Sequence, residues 1–409
     1  MSAPVTGRAT TDRLLALTRA ALPRYLAELE RLVSIDSGSY SAAGVNRVAD
    51  EVAARLHGLG FTVERRSGLR LPTGQPAGDV VLARRRGALA RADGGRCVLL
   101  AAHMDTVFDD GTALARPFTT ADGLAHGPGV SDDKGGLLAG LHAVAALDEL
   151  GFDRYAELVF LATPDEEIGS PVSRAVTEAA AREADHALAL ECARENGDLV
   201  VARKGVADLR ISVTGKAAHA GIEPERGAHA ALAAAHLVVA LQELNGTLPG
   251  ASVNVGVVHA GSRPNIVPAD AELHVEIRAT TARHLRSCCA AVEAAARRTT
   301  VPGTHARVEV TDLCPPMEET PANRRLAETA LRIGAALGVR GGAAATGGVG
   351  DANLIAGTGT PVLDGLGPIG GGDHGPDEWL DLSSVPGRIA LLAALIAELG
   401  DARGDHLAF

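Results

Sequence analysis

Residues 157–170 read E-L-V-F-L-A-T-P-D-E-E-I-G-S, an apolar run that empties into three adjacent acids. A short, continuous apolar run is the pattern of a strand covered on both faces. Asp165, Glu166 and Glu167 repel one another, and carboxylates are seldom buried without partners. A solvated loop ahead of a helix, whose N-terminus favours acids, accounts for this segment taken alone. The rest of the chain has to decide between that loop and a site.

Working outward, comparable runs occur at 80–83 (V-V-L-A), 97–102 (C-V-L-L-A-A) and 186–190 (H-A-L-A-L). Helical spacing of apolar residues covers 11–34, 44–58 and 135–150. Strands alternating with helices predict an α/β layer architecture with a largely parallel sheet. After Gly205 the pattern changes. Residues 206–214, 252–258 and 271–278 alternate as half-solvated strands do, and 306–310 is a last strand. Helices at about 227–244 and 282–299 separate them, which predicts a small α+β, ferredoxin-like sandwich. C-P-P-M (314–317) marks its exit; a helix at 322–338, strand 361–363 and a final helix near 383–399 follow. The expected organisation is therefore one α/β domain, 1–205 and 315–409, interrupted by a second at 206–314. Gly341–Gly350 is glycine-rich enough to be a site loop.

At 409 residues the chain is long enough for two domains. It is 46% hydrophobic and 22% charged, the profile of a soluble globular protein, and with 2% aromatics its core rests on aliphatic residues. A net charge of −11 argues against nucleic acid or an anionic membrane as main partner. The basic runs Arg65-Arg66 and Arg84-Arg85-Arg86 read as exposed hairpin ends. No apolar stretch reaches the roughly 18 residues of a membrane span, and the N-terminus lacks the order of a secretory signal. Cys97, Cys192, Cys288, Cys289 and Cys314 form no C-x-x-C pair, which predicts reduced, mostly buried thiols and a cytoplasmic protein. No G-K-[ST] phosphate loop is present.

Chemistry-bearing residues gather at the predicted strand ends. Strand 97–102 runs into H-M-D-T-V, where His103 and Asp105 share a face if extended geometry persists. Asp105 then stands where it can hold the ring of a metal-binding histidine, although a chance surface pair has the same sequence. G-P-G-V-S-D-D-K-G-G (127–136) presents Asp132 ahead of a helix; it or Asp133 is also a natural helix cap. Strand D-H-A-L-A-L ends on Glu191, and G-G-G-D-H-G-P-D-E (370–378) carries His374. Open α/β sheets bind ligands outside the carboxyl ends of their strands. Two imidazoles and three carboxylates there suit a pair of zinc ions.

The series H-M-D, G-P-G-V-S-D-D-K-G-G, D-E-E-I-G, D-H-A-L-A-L-E, G-K-A-A-H-A-G and a late G-x-x-H loop resembles the di-zinc aminoacylase/carboxypeptidase family, most closely its glutamate carboxypeptidase branch. Acetylornithine deacetylase and succinyl-diaminopimelate desuccinylase belong to the same family. The resemblance implies a metallohydrolase with two Zn²⁺ per chain, Co²⁺ or Mn²⁺ being possible substitutes. Asp132 would bridge the metals, with His103 and Glu191 completing one site, and Glu167 and His374 the other. Three ligand carboxylates against two divalent ions leave little net charge to bury. Glu166 would be the general acid/base and Asp105 the residue that orients His103. The interrupting domain would be a lid and dimerisation domain, making a homodimer.

Within that domain the resemblance makes His219 an oxyanion-stabilising residue and Asn265 and Arg278 the grip on a substrate carboxylate. Gly347 and Gly348 would be a backbone loop near that carboxylate, although Val349-Gly350 departs from the G-G-T-D common in the family. Where glutamate carboxypeptidase has a lysine for the glutamate side chain, C-A-R-E-N-G-D-L offers only Arg194. The implied activity is cleavage of an amide or peptide bond next to a free-carboxylate amino acid. An N-acyl-amino-acid deacylase and a metal-free binding protein are the alternatives.

Overall fold

The computed structural model describes residues 7–298 and 300–402. Two compact units divide them. The first takes the described residues up to Val201, Glu319–Ala345 and those from Gly350 onward; the second takes Ala202–Glu318 and Thr346–Val349.

The first unit is built on a six-stranded sheet in the order Thr62–Arg66, Val80–Arg86, Glu157–Thr163, Cys97–His103, His186–Ala189, Val362–Leu363. The last four strands are parallel to one another, and Val80–Arg86 pairs antiparallel with both Thr62–Arg66 and Glu157–Thr163. Every residue of Cys97–His103 is buried, as are six of the seven in Glu157–Thr163, so both runs are apolar without alternation. Helices Gly7–Val33, Lys134–Glu149 and Val385–Gly400 pack against one another. Gly136, in the first turn of Lys134–Glu149, explains K-G-G: a Cβ there would collide with the Leu190 carbonyl, beside Glu191.

The two arginine runs differ. Arg65-Arg66 ends its strand where the antiparallel ladder closes, with Arg66 exposed and paired with Val80, as a hairpin end does; Arg84–Arg86 lies at the far end of the ladder, inside the strand Val80–Arg86. Ion pairs and ring contacts hold the second run there. Arg84 reaches Glu157 (3.1 Å) and Glu183 (2.6 Å), while Arg85 reaches Asp148 (2.9 Å) and lies over the Phe61 and Tyr155 rings. A small sheet absent from the sequence reading joins Gly370–Gly371, Trp379–Asp381, Leu124–His126 and Thr119–Ala121. Strands of two or three residues are too short to show a period.

Helix Gly7–Val33 is tied to Lys134–Glu149 by a buried hydrogen bond, His142 Nε2 to Glu28 Oε2 at 2.7 Å, with Arg24 Nε 2.9 Å from Glu28 Oε1. Burial alone would raise the Glu28 carboxyl; the hydrogen bonds from His142 and Arg24 outweigh it and hold it at about 2. A depressed carboxyl stabilises the fold above its unfolded value and loses that contribution as pH falls through the folded one. Glu28→Gln is therefore expected to cost about 2–3 kcal/mol at pH 7, at roughly 1.4 kcal/mol per pKa unit. It should also flatten the stability loss between about pH 4.5 and 2. Denaturant unfolding across that window checks both effects; an unchanged acid slope would remove Glu28 from the account.

The second unit is a four-stranded antiparallel sheet ordered Ala251–Ala260, Asp270–Ala279, Gly205–Thr214, His305–Cys314. Helices Ala230–Gln242 and Ala282–Ala296 complete it, the second capped by Thr281 Oγ1, which accepts from His284 N. Leu209, Ile211, Val213, Leu273, Val275 and Ile277 form its core with Ala234, Leu237, Leu285 and Val292 from the helices. The α/β and α+β architectures thus follow the expected order of elements. None of the five cysteines forms a disulfide among the described residues; Cys97 and Cys288 are buried, whereas Cys192, Cys289 and Cys314 are only half-buried. No helix among the described residues is long and apolar enough to cross a membrane.

Candidate metal centre

Three parallel-sheet strand ends and two glycine-rich loops of the first unit converge on one cluster. His103 ends its strand, Asp132 precedes helix Lys134–Glu149, Glu166 and Glu167 open a single 3₁₀ turn, Glu191 follows strand His186–Ala189, and His374 sits in the late loop. Donor atoms of His103, Asp132 and Glu191 lie within 4.8 Å of one another, as do those of Asp132, Glu167 and His374. Asp132 is common to both sets. Its Oδ1 is 2.9 Å from His103 Nε2 and its Oδ2 3.3 Å from His374 Nε2. Glu191 Oε1 stands 3.7 Å from His103 Nε2, and Glu167 Oε2 3.1 Å from His374 Nε2.

The protonation pattern shows what this donor set requires. The Nδ1 of His103 lies 3.0 Å from the main-chain oxygen of Asp105 and donates to it. The neutral ring then turns the Nε2 lone pair toward two carboxylates, acceptor against acceptor. A cation between them resolves that opposition, either a proton or a metal. Burial lowers the His103 pKa, but the charges of Glu191, Asp105 and Asp132 outweigh it and raise the ring well above its ordinary value. Hydrogen bonds donated to the Asp132 and Glu167 carboxylates push His374 up to about 10. Two imidazoles and three carboxylates around a shared aspartate fit two divalent cations of the zinc type.

The opening acids divide their tasks. Asp165 is fully buried and turns inward, where its Oδ2 accepts from Val172 N (2.6 Å) and Ser173 N (3.3 Å). Glu167 joins the donor set. The Glu166 carboxyl belongs to neither set; burial pushes it well above the usual range, His103 opposes, and Glu191 and Asp351 add to the rise. Asp105 is wholly buried, and its carboxylate serves mainly that turn: Oδ1 accepts from Glu166 N (3.1 Å), and Oδ2 from Glu167 N (3.2 Å) and Ser39 Oγ (2.6 Å). The Asp105 carboxylate itself is 3.4 Å from His103 Nδ1, so the ring is held chiefly through the main chain. Asp133 occupies the cap position but makes no capping bond; its Oδ2 accepts from His103 N at 3.3 Å.

The remaining predicted residues lie in the second unit. His219 and Asn265 share neighbouring backbone, with Ala220 N donating to Asn265 O at 3.1 Å. His219 is exposed, and its Nδ1 accepts from Gly221 N at 3.1 Å, which leaves the proton of the neutral ring on Nε2. Arg278 meets Gly347, Nη1 donating to its carbonyl at 2.7 Å, while Nε and Nη2 grip Glu276 at 2.8 and 3.0 Å. Its fork already holds a carboxylate. Gly348 stands beside Gly347, its N–H 3.5 Å from Thr346 Oγ1.

Three buried residues escaped the sequence reading. Asp351 accepts from Thr163 Oγ1 (2.7 Å) and Ser170 Oγ (2.6 Å), and Lys134 Nζ donates to Ile35 O at 2.9 Å. Glu378 accepts from the backbone of Gly129, Ser131 and Asp132. Lys134 and Glu378 lie within motifs already quoted for other residues and Asp351 directly follows the glycine-rich 341–350 stretch, and nothing in a residue's type says that its side chain points inward.

The sequence matches the model of peptidase family M20/M25/M40 over residues 99–398. It is 33% identical to carboxypeptidase G2 of Pseudomonas sp. (strain RS-16) over 384 residues, 92% of this chain and 90% of that protein. Identity to acetylornithine deacetylase of Myxococcus xanthus is 30% over 269 residues, 63% of this chain and 67% of that one. The aminopeptidase PepT of Bacillus cereus has a similar fold, with a TM-score of 0.75, 24% identity, and coverage of 92% of this chain and 98% of that one.

Proposed function

Because the chain belongs to peptidase family M20/M25/M40, and is accordingly a metal-dependent hydrolase of peptide or amide bonds, we propose that it is a two-metal exopeptidase. It releases an amino acid bearing a free carboxylate, as a glutamate carboxypeptidase does. The observation that carries this reading is Asp132, which presents one oxygen to each of two histidine–carboxylate donor groups. Two Zn²⁺ held by His103, Asp132, Glu167, Glu191 and His374 would lower the pKa of a bound water toward about 7 and polarise the scissile carbonyl.

This chain's own residues do the rest. Glu166 takes the attacking water's proton and returns it to the leaving amine. Asp105 fixes the turn that carries Glu166 and, through its carbonyl, the His103 tautomer. His219 donates from Nε2 to the developing oxyanion. Arg278 and Asn265 hold the substrate carboxylate, with Gly347 and Gly348 lining it. A deacylase acting on N-acyl amino acids is the second reading, supported by the 30% identity to acetylornithine deacetylase. A homodimer joined through the second unit would suit its exposed outer strand, where Val257 and Val258 face solvent. Five cysteines outside any disulfide among the described residues support a cytoplasmic setting.

Turnover of a panel of C-terminal glutamate peptides, other dipeptides and N-acyl amino acids by metal-loaded enzyme separates the readings. No turnover of any member would end both. Arg278→Ala should raise KM for carboxylate substrates about 10- to 100-fold, the worth of a charged hydrogen-bond pair, with kcat little changed. An equal rise for the matching carboxamide would make Arg278 structural, a partner of Glu276 only.

A further inference from the structure

We propose that Glu378 is a positioning residue of the metal centre: it locks the backbone that delivers Asp132 to the segment that delivers His374. The inference rests on the two-metal reading above. Glu378 is 1% exposed, and both carboxylate oxygens are committed. Oε2 accepts from Gly129 N at 2.8 Å; Oε1 accepts from Ser131 N at 2.9 Å and Asp132 N at 3.1 Å, with Ser131 Oγ 3.3 Å away. These donors belong to G-P-G-V-S-D, an irregular stretch whose amides have no strand or helix to satisfy them. A buried carboxylate costs free energy unless such donors meet it, and unmet buried N–H groups carry a similar penalty.

The residue's other end is equally fixed. Its carbonyl lies 3.1 Å from His126 Nδ1, and the next residue, Trp379, pairs with His126 in the small sheet. Only four positions earlier stands His374, whose Nε2 faces Asp132 Oδ2. Ser131 Oγ adds a second tie to this segment by donating to Asp373 Oδ1 at 2.7 Å. One short segment therefore supplies one ligand and clamps the main chain of another. Substitution of outer residues that orient ligands typically costs 10- to 100-fold in metal affinity.

Glutamine at 378 keeps the size but not the pattern. Its amide nitrogen must face either Gly129 N–H or the Ser131–Asp132 pair, donor against donor. Glu378→Gln in the full chain is expected to bind Zn²⁺ about 10- to 100-fold more weakly in chelator competition and to shift the visible spectrum of the Co²⁺-loaded protein. Asp381→Asn, in the same small sheet but with a carboxylate that accepts only from Ser383 among the described contacts, should leave both unchanged. In metal-free wild type, the amides of Gly129, Ser131 and Asp132 should exchange slowly with solvent, a readout that needs no variant. Wild-type affinity and spectrum in Glu378→Gln, an equal loss in Asp381→Asn, or fast exchange of those amides would each overturn the proposal while leaving the two-metal reading intact. Wild type that binds no divalent metal would overturn both.

Discussion

Glu166→Gln is expected to retain its metals and lose on the order of a hundred- to ten-thousand-fold in kcat, the range for a proton-transfer group. The two halves of that expectation come from different atoms. Metal binding survives because the Glu166 carboxyl lies outside both donor sets. The turn survives because Asp105 grips it through the main-chain N–H groups of Glu166 and Glu167, which the substitution leaves in place. What disappears is the ability to take and return a proton. Burial and the neighbouring carboxylates raise this carboxyl, and cations bound at the five ligands would pull it back toward ionisation. Single-turnover rates with metal content measured on the same sample make the test. A variant that keeps both its metal and near-normal kcat would remove Glu166 from the chemistry.

How much of this was legible in the sequence depends on which physical signal each residue carries. The strands at 97–102 and 157–162 were readable because burial on both faces leaves an unbroken apolar run, and the second unit because half-solvated strands alternate. The ligand candidates were readable because charged residues directly after such runs have no packing reason to be there. Arg84–Arg86 misled because charge suggested exposure, whereas ring contacts and ion pairs keep the run inside a strand. Asp105 was read as the residue that orients the His103 ring; it meets that ring chiefly through its main-chain oxygen, while its carboxylate accepts mainly from the neighbouring turn. That division depends on loop geometry, which spacing does not encode. Glu378 was invisible for the same reason. Its partners are backbone amides about 250 positions away, and backbone amides have no sequence signature.

The last prediction concerns the metals and uses the asymmetry of the ligand set. Exhaustive chelation should abolish activity, and Zn²⁺, Co²⁺ or Mn²⁺ should restore it, because the attacking water of such an enzyme depends on the bound cations. Substitutions should then separate shared from private ligands. His374 faces only Asp132 and Glu167, so His374→Ala should weaken one site and leave the group of His103, Asp132 and Glu191 able to hold one ion. Asp132 contributes to both groups, one oxygen each, so Asp132→Ala should lose both ions. It would also leave His103 and His374 facing each site with one carboxylate apiece, too few donors for a zinc-type ion. Elemental analysis after equal metal loading should therefore read two ions in wild type, one in His374→Ala and none in Asp132→Ala. Full occupancy in Asp132→Ala would show that Asp132 is not the shared ligand, and activity that survives chelation would show that the cluster is held together by protons and ion pairs rather than by metal.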